Sequence, residues 1–355
     1  MRDVFALTAE LVGVPSPSYA EAGLVELIEA RLRAAAHLEV TRVGDNLVAR
    51  TNLGRGHRVI LAGHTDTVPA NGNEVARVEG DWLWGVGSAD MKGGLAVMLD
   101  AALHQAAPAL DCTYVFYARE EVASVDSGLG ELLEARPDLL VGDFAILGEP
   151  TDAAIEAGCQ GVLRARVTLK GARAHPARPW MGRNAVHRLA PLLGELASYQ
   201  PRRPVLAGCE YRESMLALAV EGGVAGNVVP DAATLMVGHR FAPDRSTEEA
   251  VAEVQRVLTP HLEPDDDFEV VDLAPAAVPA IDHPLLAGLI ERHGLEVRAK
   301  LGWTDVARFS AIGIPAVNLG PGDATLAHTA DERVSRASVE RVGEVISDLL
   351  GTPAP

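Results

Sequence analysis

Four short apolar runs in this chain each stop abruptly at a residue able to bind metal or move a proton, and that pattern restricts the fold more than any other. Val59-Ile60-Leu61-Ala62-Gly63 leads into His64-Thr65-Asp66, and Gly85-Val86-Gly87-Ser88-Ala89 leads into Asp90. Tyr114-Val115-Phe116-Tyr117-Ala118-Arg119 ends at Glu120-Glu121, and Phe144-Ala145-Ile146-Leu147-Gly148 ends at Glu149. Continuous apolar runs of this length read as strands of a sheet covered on both faces. In parallel α/β sheets the functional groups gather beyond the carboxyl ends of strands, so the four ends should converge. Convergence would bring together one histidine and five carboxylates.

The flanking pattern supports an α/β sheet. Apolar spacing near 3.6 predicts helices at 4–12 and 19–36. The style changes at Gly161-Val162-Leu163-Arg164-Ala165-Arg166-Val167-Thr168-Leu169-Lys170, where apolar and polar residues alternate as in a strand with one wet face. A helix over 184–196, strands near 215–220 and 232–241, and a helix starting at Ser246, with Glu249 three residues on as a capping box, complete a small α+β unit. From about Pro279 the helix-and-strand style returns, with a buried strand at 314–319 followed by a loop holding His328. The second unit is therefore an insertion in the first: 1–162 and 278–355 form a discontinuous catalytic domain, and 163–277 an inserted one. No internal repeat is evident, and the only low-complexity tract is the Pro/Ala-rich tail at 352–355.

Composition excludes some partners. The formal charge is −18, which repels phosphate backbones and anionic lipid, so neither nucleic acid nor a membrane is expected. The amino terminus lacks the basic-then-apolar pattern of a targeting segment, which reads as a cytoplasmic protein. Cys112, Cys159 and Cys209 are odd in number and far apart, so they read as core thiols.

Two adjacent carboxylates at the end of an apolar strand, Glu120 and Glu121, repel each other unless one is neutralised or held by a cation. Histidine with carboxylates and no cysteine suits zinc or a neighbouring first-row ion. A shared aspartate would hold two ions about 3.5 to 4 Å apart. Gly85-Val86-Gly87 hints at a dinucleotide loop, but Asp90 stands where the third glycine belongs.

Five ordered strings carry a family resemblance over nearly the whole chain: Gly63-His64-Thr65-Asp66-Thr67-Val68-Pro69, Gly87-Ser88-Ala89-Asp90-Met91-Lys92-Gly93-Gly94, Arg119-Glu120-Glu121, Gly148-Glu149-Pro150-Thr151 and Ala327-His328-Thr329-Ala330-Asp331-Glu332. They resemble the di-zinc aminoacylase and carboxypeptidase superfamily. Within it, the strings at 157–161, 173–180, 222–228, 240–245 and 302–309 are similar to the actinobacterial type of succinyl-diaminopimelate desuccinylase.

The resemblance implies a zinc-peptidase-like mixed sheet with an inserted lid and dimerisation domain, hinged near residues 162 and 278. Asp90 would bridge two zinc ions, with His64 and Glu149 completing one site and Glu121 and His328 the other; cobalt could substitute. Asp66 would hold His64 in the right tautomer, Glu120 would be the general base, and the Asp90-Met91 peptide would be cis. His175 would reach into a neighbouring subunit's site to stabilise the oxyanion, making a homodimer necessary. Arg178, Asn227 and Arg240 would bind the carboxylates of a small anionic N-succinyl amino acid. The implied reaction is removal of succinate from N-succinyl-LL-2,6-diaminopimelate, on the route to lysine and cell-wall precursors. An acetylornithine deacetylase or related carboxypeptidase or aminoacylase is the alternative, because the metal motifs are shared. A binding protein that has lost catalysis fits less well, because Glu120 and all five ligand positions are present.

Overall fold

The structure, a computed structural model, describes residues 3–351. The tail at 352–355 and the first two residues of the amino-terminal segment lie outside the described residues. The chain divides into two compact units, one of residues 1–158, 279–298 and 304–355, the other of residues 159–278 and 299–303.

The first unit is built on an eight-stranded mixed sheet. At its centre, Arg58–His64 lies parallel to both Asp111–Tyr117 and Phe144–Leu147, and Ala316–Asn318 continues the parallel set beyond the latter. Glu39–Val43 and Asn46–Arg50 extend one side as an antiparallel hairpin, and Ile155–Ala157 pairs antiparallel with Ala316–Asn318 on the other. The central strands are buried on both faces, which is why they read as unbroken apolar runs.

One face packs its alternate side chains, among them Val59, Leu61, Tyr114, Phe116 and Ile146, against the helices Val4–Val12, Ala22–Ala34, Gly93–His104 and Arg336–Gly351. Gly128–Ala135 and Val306–Ala311 pack on neighbouring strands of the same sheet. Gly93–His104 is buried almost all round, with helices on one side and the central strands on the other. Its first turn reaches the sheet only because Gly94 lacks a side chain: a Cβ there would overlap the Gly148 carbonyl, and one on Gly63 would overlap Met91. Register completes the placement. His64 lies level with Tyr117, and Ala62 with Leu147, so the residues following these strands emerge at one end of the sheet.

The second unit is an antiparallel sheet ordered Ser214–Gly222, Ala232–Phe241, Gly161–Lys170 and Asp267–Ala274. Leu163, Ala165, Val167 and Leu169 share its core with the helices Leu189–Ser198 and Thr247–Leu258, while Arg164 and Arg166 are exposed, as alternation predicts. The Ser246 capping box forms in full, the Ser246 Oγ accepting from the Glu249 N–H and the Ser246 N–H donating to the Glu249 carboxylate. The helix expected from residue 184 begins instead at Leu189. Asn184 takes the N–H groups of Val186 and His187 on its side-chain oxygen, holding a turn where a helical ladder would have started.

Candidate metal centre

Every residue of the cluster lies on a segment that leaves the carboxyl end of a central strand or enters the glycine-rich turn before Gly93. His64 is buried, with Nδ1 3.0 Å from the backbone carbonyl of Asp66. A carbonyl only accepts, so Nδ1 carries the proton and Nε2 presents its lone pair to the site. Nε2 in turn lies 3.1 Å from Asp90 Oδ1. These are two acceptors face to face, an arrangement that requires a proton or a cation between them.

Asp90 turns its other oxygen the other way, with Oδ2 3.6 Å from His328 Nε2. His328 Nε2 is also 2.8 Å from Glu121 Oε1. Ligand atoms of His64, Asp90 and Glu121 all lie within 4.8 Å of one another. Glu149 is buried and acts electrostatically on His64. The Asp90-Met91 peptide is cis.

The charges explain how the ring nitrogens titrate. Burial opposes a charge on His64, but Asp66 and Asp90 outweigh it and hold the ring well above its usual value. The Glu121 hydrogen bond raises His328 to about 9. Glu120 is pushed well above the usual carboxylate range, first by burial and then by Glu149, Asp305 and Glu121, with His64 opposing. Carboxylates crowded beside two imidazoles, with Glu120 among them held toward its protonated form, are a donor set that fits divalent cations.

Asp66 does more than the sequence indicated. The tautomer of His64 is set at Nδ1, which faces the Asp66 carbonyl at 3.0 Å and the Asp66 carboxylate at 3.5 Å. The carboxylate also grips the Glu120-Glu121 turn: Oδ1 accepts from the Glu120 N–H at 2.9 Å and Oδ2 from the Glu121 N–H at 3.0 Å. Ser18 Oγ donates to the same group at 2.8 Å. Burial opposes ionisation of Asp66, but the hydrogen bond and charge of His64, together with the Glu120 and Glu121 N–H groups, hold it well below its ordinary value. The turn presents its N–H groups because Arg119 adopts a positive φ of 60°, a conformation costing about 1 kcal/mol or more in a non-glycine residue. Glu21 accepts the Arg119 N–H, and the guanidinium is tied to Glu131 and the Asp126 carbonyl.

Three further residues were not singled out from the sequence. Glu332 accepts the N–H groups of Ala89 and Asp90, and burial raises it to about 7. Asp305, fully buried, accepts from Arg308 at 2.7 Å and adds to the negative field on Glu120. Ser18 carries no motif at all. Glu332 and Asp305 both fall inside strings that carry the family resemblance, which was the available signal.

Residues 60–352 match the profile of peptidase family M20/M25/M40. The chain belongs to this family. M20 peptidases are metal-dependent hydrolases, which accords with the cluster described above. The chain is 49% identical over 350 residues to a Mycobacterium tuberculosis protein named "Putative succinyl-diaminopimelate desuccinylase DapE", covering 98% of each. It is 43% identical to the succinyl-diaminopimelate desuccinylase of Corynebacterium glutamicum, covering 99% of this chain and 96% of that one. The fold is that of the Bacillus subtilis YXEP protein, a dinuclear metal-binding M20 peptidase, with a TM-score of 0.72, 16% identity, and coverage of 98% and 96%.

The other predicted residues lie in the second unit. His175, Arg178 and Asn227 are exposed, and Arg240 is half-buried. His175 Nδ1 accepts the Ala177 N–H at 3.1 Å, so its neutral ring carries the proton on Nε2. Burial lowers the Arg240 guanidinium below its ordinary value. Cys112, Cys159 and Cys209 are buried. Among the described residues, no helix is long and apolar enough to cross a membrane.

Proposed function

We propose that this M20 enzyme removes succinate from N-succinyl-LL-2,6-diaminopimelate, using two divalent ions, zinc by preference, with cobalt able to substitute. The observation that carries the substrate is full-length identity of 49% and 43% to proteins bearing that activity in their names. Asp90 would bridge the ions, its two oxygens facing His64 and His328. Glu149 would join His64 at one ion, and Glu121 would join His328 at the other. Bound ions would polarise the amide carbonyl and make water a nucleophile at neutral pH.

Glu120 takes the proton from the attacking water onto its carboxylate and returns it to the departing amine. The field of Glu149, Asp305 and Glu121 raises its proton affinity, which suits a base that must become an acid within one turnover. Asp66 keeps that carboxylate in place through the backbone of Glu120 and Glu121.

The partner subunit's His175 would donate its Nε2 proton to the oxyanion. The edge strand Ser214–Gly222 supports dimerisation through the second unit, because Leu216, Leu218 and Val220 are about half exposed on an unpaired edge. Arg178, Asn227 and Arg240 would bind substrate carboxylates, Arg240 being a half-buried guanidinium whose burial opposes its charge. The inserted unit would act as a lid. Three cysteines far apart in the chain and a biosynthetic substrate fit the cytoplasm.

Release of free amine from N-succinyl-LL-diaminopimelate, measured beside N-acetylornithine and a simple acyl amino acid, tests the substrate. Preference for the succinylated compound supports the reading. Preference for N-acetylornithine or the acyl amino acid would move the enzyme to a sibling activity. His175→Ala should lower kcat by about 10²- to 10³-fold with the metals retained, and unchanged turnover would remove it from the mechanism.

Metal affinity should depend on pH. His328, raised to about 9 in the metal-free protein, must lose its proton to become a ligand. Apparent affinity should therefore climb about tenfold per pH unit for this proton and level off near pH 9, as read by chelator competition. A flat profile would exclude His328 as a ligand.

A further inference from the structure

Two buried carboxylates grip the turns that carry the cluster, each by accepting two consecutive N–H groups. Asp66 accepts the consecutive N–H groups of Glu120 and Glu121. Glu332, only 1% exposed, places one of its oxygens, Oε1, 3.0 Å from the Ala89 nitrogen and 3.1 Å from the Asp90 nitrogen. The first belongs to the site as already described, but the second lies behind it and takes no part in the proton transfers.

We infer that Glu332 is a positioning residue: its carboxylate oxygen fixes the Ala89-Asp90 backbone so that the Asp90 carboxylate stands between His64 and His328. This rests on the reading of Asp90 as the shared ligand.

The geometry of the turn explains why such a clamp is needed. Gly87, at φ 78°, starts the turn, and the irregular segment Ser88–Lys92 leaves the helical region at Asp90 and Met91. Asp90 therefore lacks the regular backbone ladder that would otherwise fix its orientation. Tertiary contacts supply it instead. Glu332 binds the two N–H groups, and Lys92, also buried, anchors the far side of the turn by donating from Nζ to the Val14 carbonyl at 2.7 Å. Glu332 is itself held, its backbone carbonyl accepting from the Gly85 N–H at 3.2 Å and its N–H donating to the Thr329 carbonyl at 3.3 Å. His328 and Glu332 lie four residues apart on one loop, so that loop both offers a ring to Asp90 and sets the direction in which Asp90 points. A ligand turned by tens of degrees loses its ion, and removal of groups that orient ligands commonly lowers metal affinity by about 10- to 100-fold.

The clamp acts through an acceptor at the right reach, which separates three substitutions. Glu332→Gln keeps an oxygen at the same distance and removes the charge. Glu332→Asp keeps the charge and withdraws the oxygen by one methylene. Glu332→Ala removes the acceptor. Zinc affinity by chelator competition, thermal unfolding of the metal-free protein, and kcat and KM separately are measured for each, with Asp331→Ala as an exposed neighbouring control.

Glu332→Ala should bind zinc about 10- to 100-fold more weakly and lose kcat with little change in KM. Glu332→Gln should remain within a few-fold of the unsubstituted enzyme, and Glu332→Asp should fall well below Glu332→Gln. Zinc affinity unchanged in Glu332→Ala, or Glu332→Asp equal to or better than Glu332→Gln, overturns the inference. The second comparison holds even where the alanine variant does not fold. Asp90→Asn separates the underlying reading, since undiminished zinc affinity there would show that Asp90 is not a ligand at all.

Discussion

Glu120→Gln is expected to retain its metal content and lose turnover by about 10⁴-fold, the upper end of what general acid–base catalysis supplies, because one carboxylate serves both proton transfers. The isosteric amide keeps the packing and leaves the Glu120 N–H on Asp66 untouched, so the turn bearing Glu121 stays in place. A second consequence concerns stability. The Glu120 carboxyl is raised well above its usual value in the fold, so ionising it in the metal-free protein opposes folding. That penalty is absent below the ordinary carboxylate range and grows as pH rises through it. Metal-free Glu120→Gln should therefore melt higher than the unsubstituted protein at pH 8, and the difference should shrink toward pH 4. Parallel kcat, metal-content and melting measurements check both. Loss of metal would recast Glu120 as a ligand, and a lower melting temperature at pH 8 would contradict the crowding of negative charge around it.

On the proposed two-ion reading, Asp90→Ala should lose both ions and with them all measurable turnover. Its Oδ1 faces His64 and its Oδ2 faces His328, so one group stands between the two rings. Removing a side chain that bears on one ion should leave the other, but removing this one should empty the site. Several kcal/mol of transition-state stabilisation would vanish, about 10³-fold or more in rate. The metal-free protein should meanwhile show less pull on its two histidines, since Asp90 raises both. Bound metal by elemental analysis decides the matter: one ion retained per chain would show that Asp90 serves a single site.

The chain wrote the outline of its candidate centre openly because polar groups placed at strand ends are signalled locally. A buried strand needs an unbroken apolar run, and whatever follows it emerges beyond the sheet, so His64, Glu120, Glu121 and Glu149 could be located from their flanks. Capping at Ser246 was equally legible, because a capping box is completed within four residues. Asn184 shows the limit of that local signal: the same kind of residue that starts a helix can hold a turn against it, and the choice depends on what the neighbouring chain requires.

By itself, then, the sequence determined the residue types of the centre, the strands that deliver them, the change of sheet style after residue 160 and the family. Tertiary structure decided how those residues are held. The bond from Glu332 to Ala89 spans 243 positions and that from Ser18 to Asp66 spans 48, and neither leaves any periodic trace. The grip of the Asp66 carboxylate on the Glu120 and Glu121 N–H groups spans 54 and 55 positions and is equally silent in the sequence. Pattern encodes which face of an element is buried; hydrogen bonds between distant loops are fixed only when packing brings their donors and acceptors within about 3 Å.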